Sequence, residues 1–384
     1  MEPKLPIYLD NASTTIIDSR VAKAIYDNMI GSNLGNPSSN THIYGWNAQK
    51  ALENARYRVS KIINARSREL IFTSGATESN NIAIQGILAP YLNGNDDVHA
   101  ITSLIEHKAV LDTFKFMETL GVKVTYLSPN ENGVISSEML KRHIQPTTKL
   151  VSLMHVNNET GTINDIKSLG ELCRKSKILF HVDAAQSVGK LFIDVNKFNI
   201  DLLSMSGHKI YCPKGIGALY FSRHARLRLR GIYYGGSQER GLRPGTQSTQ
   251  LIEGLATALD IASVEMTANY EHVTLLRRVF INTLIDLGVP ILINGGRHSS
   301  PYIINIHLPN IDTEELLMRL KSVALSTGSA CNSKEQSNSH VLSTLFPSRL
   351  SQGANIRISF CAQQSLLDVI EASKHIAFEY KKTA

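Results

Sequence analysis

Lys209 sits in the run Ser204-Met205-Ser206-Gly207-His208-Lys209-Ile210-Tyr211, a short polar turn between two apolar runs at 200–203 and 217–221. A lysine amine has an ordinary pKa near ~10.4, and it becomes a nucleophile or Schiff-base former only where burial or nearby positive charge lowers that value. His208 and a strand on either side provide such a setting. Most lysines are solvated instead, so the chemical reading needs a second residue. Upstream, Phe180-His181-Val182-Asp183-Ala184-Ala185-Gln186-Ser187 reads as a buried strand that delivers one carboxylate at its carboxyl end. An amine able to hold an aldehyde as an imine and a carboxylate able to keep a pyridine nitrogen protonated are the two parts that pyridoxal phosphate chemistry requires.

Further candidates surround this pair. The run Glu69-Leu70-Ile71-Phe72-Thr73 is β-like and is followed by Ser74-Gly75-Ala76-Thr77-Glu78-Ser79-Asn80 and a helical stretch at 82–92. Strand, small-residue turn and helix together turn free N–H groups and a positive dipole end toward an anion. Thr77 adds a hydroxyl donor, or serves only as the helix N-cap with Asn80 three residues on. His107 is expected in the first turn of a helix over 106–120, just past a strand end, where a ring can stack on a ligand and move protons. Asn36, in the turn-rich loop 31–39, offers an amide to a ligand or caps its own turn. Within 325–340, Cys331 heads a polar, small-residue segment, a setting that predicts an exposed and partly ionised thiol. Cys173 and Cys361 lie in apolar surroundings and read as buried, and Cys212, three residues past Lys209, is a second candidate, although Pro213 beside it points to a fixed turn and a structural thiol.

The elements that position these residues follow from hydrophobic periodicity. Strands and helices alternate from 69 to 220, which predicts a mostly parallel sheet covered on both faces. The segment 240–246 reads as a rigid turn with two arginines, followed by a long helix over 248–287 that crosses to a smaller α/β unit with strand signals at 302–307, 324–326 and 357–360. Residues 1–20 are expected to join that smaller unit, 21–264 to form the large domain and 265–384 the small one. Four scattered cysteines indicate neither a disulfide framework nor a metal site. The net charge of +7 is spread out except at 223–230, where Arg226, Arg228 and Arg230 alternate as on one face of an edge strand. That face is read as solvated, with a nucleic-acid or acidic-protein contact as the alternative. No leader pattern and no membrane-length apolar run occurs, so the chain reads as soluble, cytoplasmic and without direct membrane association.

Taken jointly, Asn36-Pro37-Ser38-Ser39, Thr73-Ser74-Gly75-Ala76-Thr77-Glu78-Ser79-Asn80-Asn81, Glu106-His107-Lys108-Ala109-Val110, Met154-His155-Val156-Asn157-Asn158-Glu159-Thr160-Gly161, His181-Val182-Asp183-Ala184-Ala185-Gln186-Ser187, Ser206-Gly207-His208-Lys209-Ile210-Tyr211, Arg243-Pro244-Gly245-Thr246 and Gly328-Ser329-Ala330-Cys331 resemble the cysteine desulfurases. The similarity is to the NifS/IscS group of the class V aminotransferase family and runs collinearly over 7–379. It implies a pyridoxal 5'-phosphate enzyme of fold type I (aspartate-aminotransferase-like), working as a homodimer. It implies Lys209 as the Schiff-base lysine, His107 stacked on the ring and active in proton transfer, Asp183 on the pyridine nitrogen and Gln186 on the ring oxygen. Ala76, Thr77, Ser206 and His208 would hold the phosphate, joined by Thr246 from the other subunit. Arg357, assisted by Asn36 and Asn158, would clamp the substrate carboxylate, and Cys331 would accept the sulfur.

The implied reaction turns L-cysteine into L-alanine and leaves a persulfide on Cys331 for a sulfur-acceptor protein. The chain ends soon after its last helix, where many iron–sulfur-assembly members carry a longer tail, so tRNA thiolation or DNA phosphorothioation stands beside iron–sulfur cluster assembly as the expected destination. A selenocysteine lyase or another class V β-eliminase or aminotransferase is the alternative enzyme reading, and a non-catalytic interaction subunit the alternative of another class.

Overall fold

The computed structural model describes residues 5–31, 34–92, 97–328 and 339–382. Seven strands form the main sheet: β2 (Leu70–Thr73), β3 (His99–Ser103), β4 (Lys123–Leu127), β5 (Thr148–Met154), β6 (Leu179–Asp183), β7 (Leu202–Ser206) and β8 (Gly217–Phe221), after the short N-terminal β1 (Ile7–Tyr8). Their order is β2-β8-β7-β6-β5-β3-β4, parallel from β7 to β4 and antiparallel where β8 joins β7 and β2. Successive side chains alternate between the faces. Leu150, Leu179, Leu202 and Leu219 pack on one side against α3 (Ala76–Leu92) and α4 (Lys108–Thr119), through residues such as Ile84, Ile87 and Phe114. Val151, Phe180, Leu203 and Ala218 pack on the other, against α1 (Ser19–Ile30), α2 (Ile43–Ile62) and the first half of the long helix Thr249–Asp286. Burial on both faces explains why these strands read as continuous apolar runs.

A second core surrounds a three-stranded antiparallel sheet made from β9 (Leu292–Asn294), β10 (Ile303–Pro309) and β12 (Gly353–Ser359), in the order β12-β10-β9. Ile304, Ile306, Ile356 and Ile358 face Val273, Leu276, Phe280 and Ile376, while the alternate positions Asn305, His307, Asn355 and Arg357 are polar. β1 pairs in parallel with β11 (Val323–Ala324), and Leu9 and Ala12 pack in this second core. The long helix joins the two cores without a break.

Three local expectations change. Residues 223–226 are a short helix, not a strand. Leu229 is fully buried and the N–H of Arg230 donates to the carbonyl of Gly86, so anchoring to α3 replaces the alternating basic face. His107 precedes α4 as its N-cap, its ring Nδ1 accepting from the N–H of Ala109 at 3.1 Å. The helix α3 starts at Ala76, so Thr77 lies in its first turn and is not the cap. Among the described residues no helix is long and apolar enough to cross a membrane.

Candidate functional site

The register of the central strands builds the site. Asp183 ends β6 and lies beside Ser204 of the parallel β7, and two residues later Ser206 closes β7 and starts the one-turn helix Gly207–Lys209. A carboxylate and an amine therefore leave the carboxyl ends of adjacent strands, where ligands bind in open α/β sheets. They face a cavity of about 360 Å³ that Ala76, Thr77, His107, Asn158, Gln186, Ser206, His208 and Arg357 also line. Asn36 and Thr246 do not line it in the same chain. Asn36 is exposed and its Oδ1 accepts from the N–H of Ser38, so it caps its own turn, and Thr246 is exposed on the loop before the long helix. Cys331 lies outside the described residues.

Each group is held. Asp183 accepts from Asn80 Nδ2 at 2.8 Å and from the N–H of Ala185 at 3.0 Å, bonds that fix the direction of its carboxyl group. Lys209 Nζ donates to the carbonyls of Ala12 and Ser13 at 2.6 and 2.7 Å, and Gln186 Nε2 donates to that of Ala12 at 2.9 Å. Arg357, 1% exposed, donates to the carbonyl of Asn158, to Asp10 and to Ser13. Burial holds the His107 ring below the ordinary histidine range, with Asp183 opposing the shift and Lys209 adding to it. His208, near Thr14 Oγ1 at 3.2 Å, is pushed down to about 4 by burial and by Lys209, Lys214 and Lys190.

The turn into α3 is tight. A Cβ on Gly217 would stand 2.5 Å from the carbonyl oxygen of Met205 and 2.7 Å from Cα of Gly75, so the strand passes directly under the loop that precedes the helix. Gly75 itself has φ 156°, a conformation that favours glycine. The first N–H groups of α3 have no intrahelical acceptor, and the turn that carries them lines the same cavity as Ser206 and His208.

The sequence reading left out Asn80 as the partner of Asp183 and Asp10 and Ser13 as partners of Arg357. The motif containing Asn80 reads only as a phosphate turn or a helix cap, and Asp10 and Ser13 lie almost the whole chain away from Arg357. Cys173, Cys212 and Cys361 are buried, and burial pushes all three thiols up, Cys212 to about 12, which favours the structural reading of Cys212 over its reading as a second candidate.

The family model described as aminotransferase class-V matches residues 7–371. A protein named cysteine desulfurase IscS from Pseudomonas putida (strain GB-1) is 47% identical over 359 residues, 93% of this chain and 88% of that one. A solved structure titled NifS-like protein superposes with a TM-score of 0.89 at 34% identity, over 97% of this chain and 99% of that chain. The structure of DndA from Streptomyces lividans superposes with a TM-score of 0.78 at 38% identity, over 92% and 99%. Sequence, fold and the converging lysine and carboxylate agree: this chain belongs to the class V aminotransferase family, in its cysteine desulfurase group.

Proposed function

We propose that this chain converts L-cysteine to L-alanine with pyridoxal 5'-phosphate, placing the sulfur on Cys331 as a persulfide for transfer to an acceptor thiol. The observation that carries this reading is the convergence of Lys209, Asp183 and Arg357 on one cavity. The donor set fits the cofactor. Lys209 supplies the amine for its aldehyde, Asp183 a carboxylate for its ring nitrogen, and the α3 N-terminus with Thr77, Ser206 and His208 a cradle for its phosphate. Thr246, exposed and outside its own chain's cavity, is assigned to the phosphate of a second copy. The cavity draws on both cores, which supports assigning 21–264 to cofactor binding, and 265–384 with 1–20 to the carboxylate clamp and the sulfur-accepting segment.

When bound, the cofactor supplies an electron sink that makes the substrate Cα proton acidic. The chain supplies the base. His107 uses Nδ1 as the acceptor of its capping bond, so the neutral ring carries its proton on Nε2 and has no basic nitrogen left to face the cavity. Removal of the Cα proton therefore falls to Lys209, and the two carbonyls that hold Nζ keep the amine in place for the transfer. His107 contributes an N–H donor and a ring face. Arg357 receives the carboxylate. An S–S bond then forms at Cys331 as the substrate Cβ–S bond breaks, and protonation of the carbon fragment gives L-alanine. The test is alanine formation from L-cysteine in the presence of a thiol reductant. Cys331→Ala is expected to retain the cofactor's absorbance and lose alanine formation, whereas Lys209→Ala loses the lysine-dependent band. Wild-type alanine production by Cys331→Ala would overturn the assignment.

A further inference from the structure

We infer that Ser13 is a further binding residue for the carboxylate of the amino-acid substrate, completing a clamp that Arg357 cannot form alone. The inference rests on the reading of Arg357 given above. A guanidinium offers five N–H donors, and a bidentate carboxylate takes two parallel ones. Here Nη1 spends one hydrogen on the carbonyl of Asn158 at 2.9 Å, and Nη2 spends both of its hydrogens, on Asp10 Oδ1 and on Ser13 Oγ, each at 2.7 Å. Nε is buried and without a partner among the described residues. Two N–H groups remain, that of Nε and one on Nη1, and they lie on different edges of the guanidinium, so no parallel pair is left for a bidentate carboxylate. The ion pair with Asp10 keeps the guanidinium turned this way.

The second donor is at hand. Ser13 lines the cavity, its hydroxyl oxygen is occupied as an acceptor from Arg357, and its own proton meets no acceptor among the described residues. An incoming carboxylate can take one N–H from Arg357 and the O–H from Ser13. The same residue also presents its backbone carbonyl to Lys209 Nζ at 2.7 Å. Ser13 thus touches the reactive amine through one atom and the carboxylate anchor through another, a spacing suited to α-amino acids, in which one carbon separates the amino and carboxylate groups.

The experiment compares wild-type holoenzyme with Ser13→Ala, Ser13→Thr and Arg357→Gln. Equilibrium dissociation constants for L-alanine are read from the cofactor's absorbance, with cysteamine, an amine without a carboxylate, as control. KM and kcat for L-cysteine are measured in parallel. Ser13→Ala is expected to raise the L-alanine constant about tenfold, as loss of one hydrogen bond to a charged group does. KM should rise more than kcat falls, Ser13→Thr should restore binding, and cysteamine should be unaffected. An unchanged L-alanine constant in Ser13→Ala, or an equal loss for cysteamine, would overturn the inference. If Arg357→Gln also leaves L-alanine binding unchanged, the carboxylate-clamp reading beneath it fails; if only Arg357→Gln weakens binding, Ser13 alone is excluded.

Discussion

His181 stands two residues before Asp183 at the centre of the sheet, completely buried, and it ties three parallel strands together: Nδ1 pairs with Ser152 Oγ of β5 at 2.7 Å and Nε2 with Ser204 Oγ of β7 at 3.0 Å. Burial depresses its pKa to about 4 from an ordinary 6.5, with Asp183 opposing weakly. The folded state therefore excludes the proton that the unfolded chain accepts, so stability is fully present above about 6.5 and declines as pH falls toward about 4. At about 1.4 kcal/mol per pH unit the full loss is about 3 kcal/mol, of which about 2 kcal/mol has accrued by pH 5. His181→Gln keeps a donor and an acceptor but cannot titrate. At pH 8 it is expected to be less stable than wild type by about 1 to 2 kcal/mol through imperfect hydrogen bonding. Between pH 8 and pH 5 wild type is expected to lose about 2 kcal/mol more than the variant, which closes or reverses the gap. Urea unfolding of both holoproteins at each pH, followed by fluorescence of the single Trp46, measures the difference and cancels contributions from His155 and the other buried histidines. Parallel pH slopes in the two proteins would show that His181 is not held neutral by burial, and the reasoning would fail.

Two further outcomes follow from named contacts. Asn80→Ala removes one of the two bonds that orient Asp183 and is expected to weaken cofactor retention about tenfold, measured by equilibrium dialysis, while the urea midpoint moves little. Glu239→Gln removes the carboxylate that meets Arg56 at 2.7 and 2.8 Å and also accepts from the N–H of Phe72, and leaving the buried guanidinium with only the half-exposed Glu53 as counter-charge costs about 3 kcal/mol. Because Glu239 and Arg240 both hold positive φ, at 45° and 60°, this change is also expected to release the loop that leads to Thr246, read as faster proteolysis there than in Arg56→Met/Glu239→Gln with both partners replaced.

What the sequence disclosed, and what it did not, follows from the range of each interaction. Lys209 and Asp183 were legible because a buried parallel strand is a continuous apolar run, and each residue marks the polar end of such a run. The small-residue turn before α3 was legible for the same local reason, and the helix over 248–287 was found to within a residue at each end because its periodicity is long. The alternation of Arg226, Arg228 and Arg230 misled because the pattern is blind to a tertiary anchor: Leu229, the residue between two of them, is the one that packs. The three residues of β9 gave no signal, since Leu292 and Ile293 are exposed and the strand exists only through pairing with β10. Asn36 is exposed and its Oδ1 accepts from the N–H of Ser38 within its own turn, which leaves its Nδ2 uncommitted by that bond.

The partners of the reactive groups were the hardest to read, and for one cause. Asp10, Ser13 and Ala12 come from the N-terminal segment, which reaches the site because β1 pairs with β11 and because Ser359 of β12 accepts from the N–H of Ala12 and donates to the carbonyl of Leu9. The carbonyls that fix Lys209 and the carboxylate that turns Arg357 are thus delivered by a strand whose own hydrogen bonds belong to the second core. Lys209 is rooted in the first core and Arg357 in the second, and residues 10–13 bond to both. Ala12 bonds to Lys209 and to Ser359, and Ser13 to Lys209 and to Arg357, so two consecutive residues of the cavity wall join the amine of the first core to the guanidinium of the second.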